Sequence, residues 1–192
     1  MADRNSIITL PHADLRKKSA RVHVVTDETI TLIKDMTDAA LDWEDSRPHE
    51  VAVALAAVQI DRLERVVIVR AAFDDKNNKE FVALINPEIV KTEGKPTIIQ
   101  PEGCLSVKDI YGNVPRYPKV RVKAITVDGR EIRIKAEGFM SMLLQHEIDH
   151  TNGIAFIDHI DTESGEFFTL NTAGELESVS YDDVASRGIF RQ

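Results

Sequence analysis

The segment Gln145-His146-Glu147-Ile148-Asp149-His150 concentrates the chemistry of this chain. On a helix, His146 and His150 lie one turn apart on the same face, so both imidazoles can reach one metal ion. Glu147 falls about 100° round the helix from His146, close to such an ion without having to bind it. A carboxylate in that place suits a general base acting on a water that the metal activates. The plainer reading is a hydrogen-bonded network in the core. Phe139, Met142 and Leu143 share the arc of the two histidines, while Met140, Leu144 and Ile148 make other faces apolar. That pattern belongs to a buried helix. Burying His, Glu and His is costly unless a metal or a network satisfies them.

Two imidazoles from one helix need a further protein ligand. Extension of the motif to a third histidine fails, because Gly153 matches the spacing but Phe156 occupies the final position. Glu163 and Glu166, in a Ser/Gly stretch, are carboxylate candidates. The remaining candidate is the only thiol, Cys104, within Pro101-Glu102-Gly103-Cys104-Leu105-Ser106. A lone cysteine is ordinarily a small buried apolar residue. Its glycine-flexed setting, however, can bring backbone N–H groups to a site. One thiolate plus two imidazoles leaves a fourth position open, the catalytic rather than the structural count.

Several elements must position these groups. Thr26-Asp27-Glu28 reads as a helix start, and Ile30, Ile33, Met36, Ala40 and Leu41 follow at helical spacing, predicting a helix from Asp27 to about Trp43. Glu44 to Glu50 should be a loop. Strands are expected at Arg65–Arg70, Glu80–Ile85 and Glu88–Thr92, with Asp74 to Asn78 as a hairpin connection and Asn86-Pro87 as a turn. Arg121–Val127, Asp128-Gly129 and Glu131–Lys135 form the clearest hairpin. The histidine helix should run from about Gly138 to Asn152, with Gly153 just past its end. Ile7 to Val25 reads as an extended arm with a turn at Pro11. In the tail, Phe167–Leu170 and Glu175–Val179 suggest a hairpin, and Ser180 can cap a short helix. Strands flanking helices define an α+β domain.

Composition sets outer limits. The chain has 192 residues, 43% hydrophobic and 29% charged, which is enough for one domain with a sizeable core. Its formal net charge of -8 argues against broad binding to nucleic-acid phosphates, DNA included. One cysteine excludes an internal disulfide framework. No apolar run approaches a membrane span, and the start shows no signal-peptide pattern, so a reducing cytoplasm is expected.

The chain resembles the peptide deformylases, metallohydrolases that remove the formyl group from the starting methionine of nascent bacterial proteins. That family carries Gly-x-Gly-x-Ala-Ala-x-Gln, Glu-Gly-Cys-x-Ser and Gln-His-Glu-x-Asp-His, in that order. Glu102-Gly103-Cys104-Leu105-Ser106 and Gln145 to His150 match the second and third. The first reads Ala52-Val53-Ala54-Leu55-Ala56-Ala57-Val58-Gln59, with alanine at both glycine positions. Pro11 to Arg16, Asn86-Pro87-Glu88 and Val114-Pro115-Arg116 extend the likeness over about residues 7 to 160.

The resemblance implies that Cys104, His146 and His150 hold one divalent metal ion, iron(II) in the family's usual use, with zinc, nickel or cobalt able to replace it. It implies that Glu147 moves the proton, while Gln59 and the backbone N–H of Leu105 face the oxygen that becomes negative. Val53, Ala54, Gly103, Phe139, Met142 and Leu143 would line the methionine pocket, and Arg116 would pair with Glu102 to brace the cysteine loop. The implied fold is a single α+β domain, with antiparallel strands packed around a central helix that carries the histidines. Residues 1–160 would form the metallohydrolase domain. Residues 161–192 would form an acidic extension, a hairpin and short helix packed on the same domain. The implied partners are N-formyl-methionyl nascent chains in the cytoplasm, with the ribosome at most a transient one; neither membrane nor DNA is expected. The alternatives are an amidase or peptidase on another substrate, or a non-catalytic binding protein. Ala52 and Ala54 depart from the family pattern. They either sit at ordinary dihedrals or push methyl groups toward the peptide cleft.

Overall fold

The computed structural model describes every residue except Met1, Pro48, Phe73, Asp74, Lys76, Thr162, Glu163, Ser164 and Gln192. Helix α1 spans Asp27–Asp45, with Asp27 and Glu28 in its first turn, where acids favour the helix dipole. It runs past the expected end at Trp43 because Glu44, assigned to a polar loop by its charge, has a buried partner. Its carboxylate accepts from Arg70 Nη1 at 2.6 Å and from the Ala52 backbone N–H at 3.0 Å.

Strand β1 (Ala54–Ala56) runs directly into a 3-10 turn, Ala57–Ile60. Strand β2 (Val66–Arg70) is buried at every position because both its faces are covered. Val66 and Ile68 pack with Leu32 and Met36 of α1, whereas Val67 and Val69 face the opposite side. Strand β3 (Phe81–Glu93) is continuous where two strands were expected. Asn86-Pro87 makes a bulge rather than a turn: the pairing jumps from Ile85↔Ile125 to Glu88↔Lys123, and Asn86 adopts φ 51°. The backbone groups freed by the irregularity are satisfied by Arg65, whose carbonyl accepts from the Asn86 N–H at 2.8 Å and whose Nε donates to the Pro87 carbonyl at 3.0 Å. The Asn86 side chain holds both backbone groups of Val22, at 2.7 and 2.9 Å. Of the expected connection before β3, Asp74 and Lys76 lie outside the described residues.

Four short strands surround the cysteine: β4 (Thr97–Ile98), β5 (Glu102–Cys104), β6 (Val107–Gly112) and β7 (Pro115–Arg116). The hairpin β8 (Lys119–Ile125) and β9 (Glu131–Glu137) follows. Its strands close at Ile125↔Glu131, before the expected Val127, because the turn already begins at Thr126, whose carbonyl accepts from the Gly129 N–H at 2.9 Å. Helix α2 spans Gly138–Thr151, one residue short of the expected end. In the tail, β10 (Phe167–Leu170) and β11 (Leu176–Val179) form the hairpin, and Ser180 caps α3 (Tyr181–Ala185) by accepting from the Asp183 N–H at 3.2 Å.

The strands assemble as an antiparallel sheet in the order β1-β2-β3-β8-β9, a second in the order β11-β10-β6-β5, and the small pair β4-β7. Helix α1 covers one face of the first sheet. Leu143, Leu144 and Ile148 of α2 pack with Val67, Val69, Val120 and Val122 on its other face. The second sheet has its own core, in which Ile110, Phe156 and Phe167 meet Val184 and Ile189 of the tail. Helix α2 is therefore enclosed on several sides, and Ser141 to Ile148 are all buried. The N-terminal arm crosses three separated segments. The N–H groups of Ile8, Leu10 and Ser19 donate to the carbonyls of Gln59, Ser106 and Thr151, each at 2.9 Å. Among the described residues no helix is long and apolar enough to cross a membrane.

Candidate metal centre and active-site cleft

Helix α2 delivers its polar side chains at two levels. Gln145 clamps the helix to the preceding strands: its amide donates to the Tyr117 carbonyl at 2.9 Å and accepts from the Tyr117 N–H at 3.1 Å. One residue on, His146 and His150 meet edge to face, with ring centroids 4.9 Å apart. Strand β5 brings Cys104 to them, placing Sγ 3.1 Å from His150 Nε2. Cys104, His146 and His150 each offer a ligand atom, all within 4.8 Å of one another. Of the carboxylate candidates considered from sequence, Glu166 accepts from Asn113 Nδ2 at 2.5 Å instead. Glu163 lies outside the described residues.

The groups behind this cluster fix its orientation. Glu102 Oε2 lies 2.7 Å from His146 Nδ1, which leaves the other ring nitrogen to face the cluster. Arg116 grips Glu102 through two nitrogens, at 2.7 and 3.1 Å, and reaches Asp149 at 2.5 Å. Burial raises the Glu102 carboxyl pKa, but His146 and Arg116 outweigh it and hold the group below its ordinary value. Burial lowers His150 well below the usual histidine range, with the His146 charge adding to the effect. For His146, burial is overcome by Cys104 and Glu102, which push its pKa up.

Two buried atoms of α2, Glu147 Oε2 and His150 Nδ1, have no hydrogen-bond partner among the described residues. An unpaired carboxylate oxygen is expensive in a closed core. Burial pushes the Glu147 carboxyl up to about 7. The donor set is also chemically suited to a metal. One sulfur with two imidazoles matches the preferences of iron(II), zinc, nickel and cobalt better than those of magnesium or calcium. The residues present therefore fit a single divalent ion.

Gln59 sits in the 3-10 turn after β1. Its Oε1 accepts from the Ala56 N–H at 2.8 Å, which aims Nε2 at Ser106 Oγ, 3.2 Å away, and at Cys104 Sγ, 3.5 Å away. The cluster opens into a cavity of about 390 Å³ lined by Val53, Ala54, Gly103, Leu105, Phe139, Met142 and Leu143, together with Gln59 and Glu147. Ala52 is not among the lining residues. It is fully buried on the α1 side, and neither alanine has a positive φ. The expectation that these methyls push toward the cleft is thus corrected for Ala52: it precedes β1, outside the regular strand, and packs into the core with Leu32 and Met36, while Ala54, the first residue of β1, lines the cavity. Gly103 is tightly constrained, because a Cβ there would lie 2.4 Å from the ring of Tyr111. Sequence reasoning missed Trp43, His49, Glu50, Tyr111, Leu170 and Leu176 in the cavity lining. None stands in a recognisable motif, and only the tertiary fold brings them there.

A sulfur and two imidazoles beside a buried carboxylate, at the base of a largely apolar cleft, define a metal-dependent hydrolase. Comparison with known proteins narrows the class. The family model described as Polypeptide deformylase matches residues 4–166. The peptide deformylase of Thermomicrobium roseum is 40% identical over 162 residues, covering 83% of this chain and 87% of that one. The Halothermothrix orenii peptide deformylase is 42% identical over 146 residues, covering 76% and 86%. Among solved structures, a peptide deformylase from Legionella pneumophila superposes with a TM-score of 0.69 at 38% identity, covering 81% of this chain and 85% of its own. One from Synechococcus elongatus, solved with actinonin, gives 0.73 at 29% identity over 82% and 80%. The chain belongs to the polypeptide deformylase family. Its activity is the metal-dependent removal of the N-formyl group from nascent peptides.

Proposed function

We propose that Cys104, His146 and His150 hold the metal and that Glu147 carries the proton in deformylation. When bound, the ion supplies Lewis-acid activation of the attacking water and of the formyl carbonyl. The observation behind the role of Glu147 is its buried, unpartnered oxygen beside the two histidines. A carboxyl poised near pH 7 can take a proton from water and give it up again. In this reading Glu147 accepts the proton as the water oxygen bonds to the formyl carbon. It then passes the proton to the amide nitrogen as the C–N bond breaks, leaving formate and a free methionyl amine. Gln59 Nε2 and the Leu105 N–H are donors for the oxygen that gains charge, each worth a few kcal/mol where aimed well. Glu102 and Arg116 keep His146 in place.

The cavity supports an extended peptide. Strands β1 and β5 are each at the edge of a sheet and both contribute to the cavity wall, so a bound chain can use their free backbone groups. The methionine side chain then lies against Val53, Ala54, Gly103, Phe139, Met142 and Leu143. We take iron(II) as the native ion, and the cytoplasm, where formylated chains are made, as the compartment. Residues 1–160 are read as the catalytic domain, with 161–192 packed on it as an acidic extension. Its charge suits only transient contact with the ribosome, and the net charge of the chain gives no basis for binding DNA.

The decisive experiment is formate release from a formyl-Met dipeptide by anaerobically purified, metal-quantified protein, compared with Glu147→Gln. The variant keeps the shape of the side chain but cannot accept the proton. It is expected to retain its metal while losing at least about 100-fold in turnover. Near-normal formate release by Glu147→Gln would assign the proton to another group.

A further inference from the structure

The outer wall of the cleft comes from the tail. Leu170 of β10 and Leu176 of β11 both line the cavity and are direct cross-strand partners, so one face of the hairpin presents a pair of leucines to it. Alternation turns Glu175 and Glu177 to the opposite face, where Asn171 Nδ2 bonds both carboxylates. The carboxylates of Glu175 and Glu177 thus point away from the cleft, on the face that also seats Phe167 in the second core, while the leucine pair points in. The hairpin is anchored at both ends. Phe167 pairs with Gly112 of β6, and at the tip a Cβ on Gly174 would lie 2.8 Å from the His49 ring. Leu176 is nevertheless 42% exposed, a large apolar side chain at a cleft with much of its surface left uncovered. The region matched by the family model ends at residue 166, before this wall begins.

We propose that the C-terminal hairpin is a specificity element, in which Leu170 and Leu176 receive the apolar side chain of a residue just downstream of the formyl-methionine. This rests on the reading that methionine occupies the inner pocket by Phe139, Met142 and Leu143. An extended peptide advances about 3.3 Å per residue, so the chain leaving that pocket soon reaches the outer wall of the same cavity. An apolar side chain there covers the leucine pair, whereas a small or acidic one leaves the pair wet.

The test uses full-length, metal-loaded protein and formate release from formyl-Met-Ala-Ser, formyl-Met-Leu-Ser and formyl-Met-Ala-Leu. Leucine at the second or third position should raise kcat/KM about 5- to 10-fold over the first peptide, mainly through KM, as expected for partly burying one such side chain. In the Leu170→Ala/Leu176→Ala double variant that ratio should collapse toward about 1. Leu176→Lys should instead favour a glutamate at the position where leucine had been preferred. A merely structural role lowers all the peptides in proportion and leaves the ratio intact, which would overturn the proposal. So would a wild-type ratio near unity, or Leu176→Lys with no change in preference. Turnover without discrimination removes the hairpin assignment alone; no turnover on any peptide by metal-loaded protein removes the reading of the cleft as well.

Discussion

Cys104 contributes one atom to the cluster, yet the cluster depends on it. His146 and His150 come from a single helix and offer two nitrogens, too few to hold a catalytic ion firmly. Cys104→Ala is therefore expected to lose most of the bound metal, measured by elemental analysis after gel filtration; full occupancy would place the third ligand elsewhere. The conservative Cys104→Ser should also bind weakly, because a hydroxyl is a poor substitute for a thiolate toward these ions. The two histidines and Glu147 were legible in the sequence because helical spacing alone puts them together. Cys104 was legible only through its motif, since nothing local links position 104 to 146. Of the partners that orient the ligands, the Glu102–Arg116 pair was implied by the resemblance, whereas Asp149 holding Arg116 was not legible. A carboxylate on a helix gives no sign of which arginine will reach it.

At the scale of elements, the entry into β1 separates two similar substitutions. Ala52, just before β1, lies in the core against α1, whereas Ala54, its first residue, lines the cavity. Ala54→Gly should change KM for formyl-Met peptides with little effect on kcat, because the methyl it removes borders the cleft and is not among the reacting groups. Ala52→Gly should instead cost about 1–2 kcal/mol of stability, from added backbone freedom and a lost buried methyl. Peptide kinetics and urea unfolding on the two single variants check this division; a KM effect from Ala52→Gly would contradict it. Helices α1 and α2, the β8–β9 hairpin and the tail hairpin could be read from periodicity and turn residues, because their signals are local. The bulge at Asn86 could not, since it depends on Val22 from the distant arm. Nor could β5 and β6, short strands that form because they pair with each other and because β6 also pairs with β10.

Across the whole molecule, the Glu44–Arg70 pair ties α1 to β2 with both side chains almost wholly enclosed. Removing one member of such a pair strands the other charge. Arg70→Met should cost about 3–5 kcal/mol in denaturant unfolding. The double variant Glu44→Leu/Arg70→Met should recover much of that loss, since no buried charge is left without its partner. A double variant as unstable as the single one would mean that the pair contributes net stability through its contacts with Ala52 and Asn78.

The N-terminal arm carries no proposed catalytic group, but its backbone meets Gln59, Ser106 and Thr151, one residue in or beside each of the three segments that build the site. It works as a seam: parts of the chain far apart in sequence share one strip of backbone, so lifting the strip loosens all of them together. Protection of the Ile8, Leu10 and Ser19 amides in hydrogen exchange should therefore rise in concert when metal is added, as one cooperative unit. Deleting the first twenty or so residues should abolish formate release without removing any metal ligand. The opening stretch of the chain is thereby bound to the centre, although none of its described residues lines the cavity.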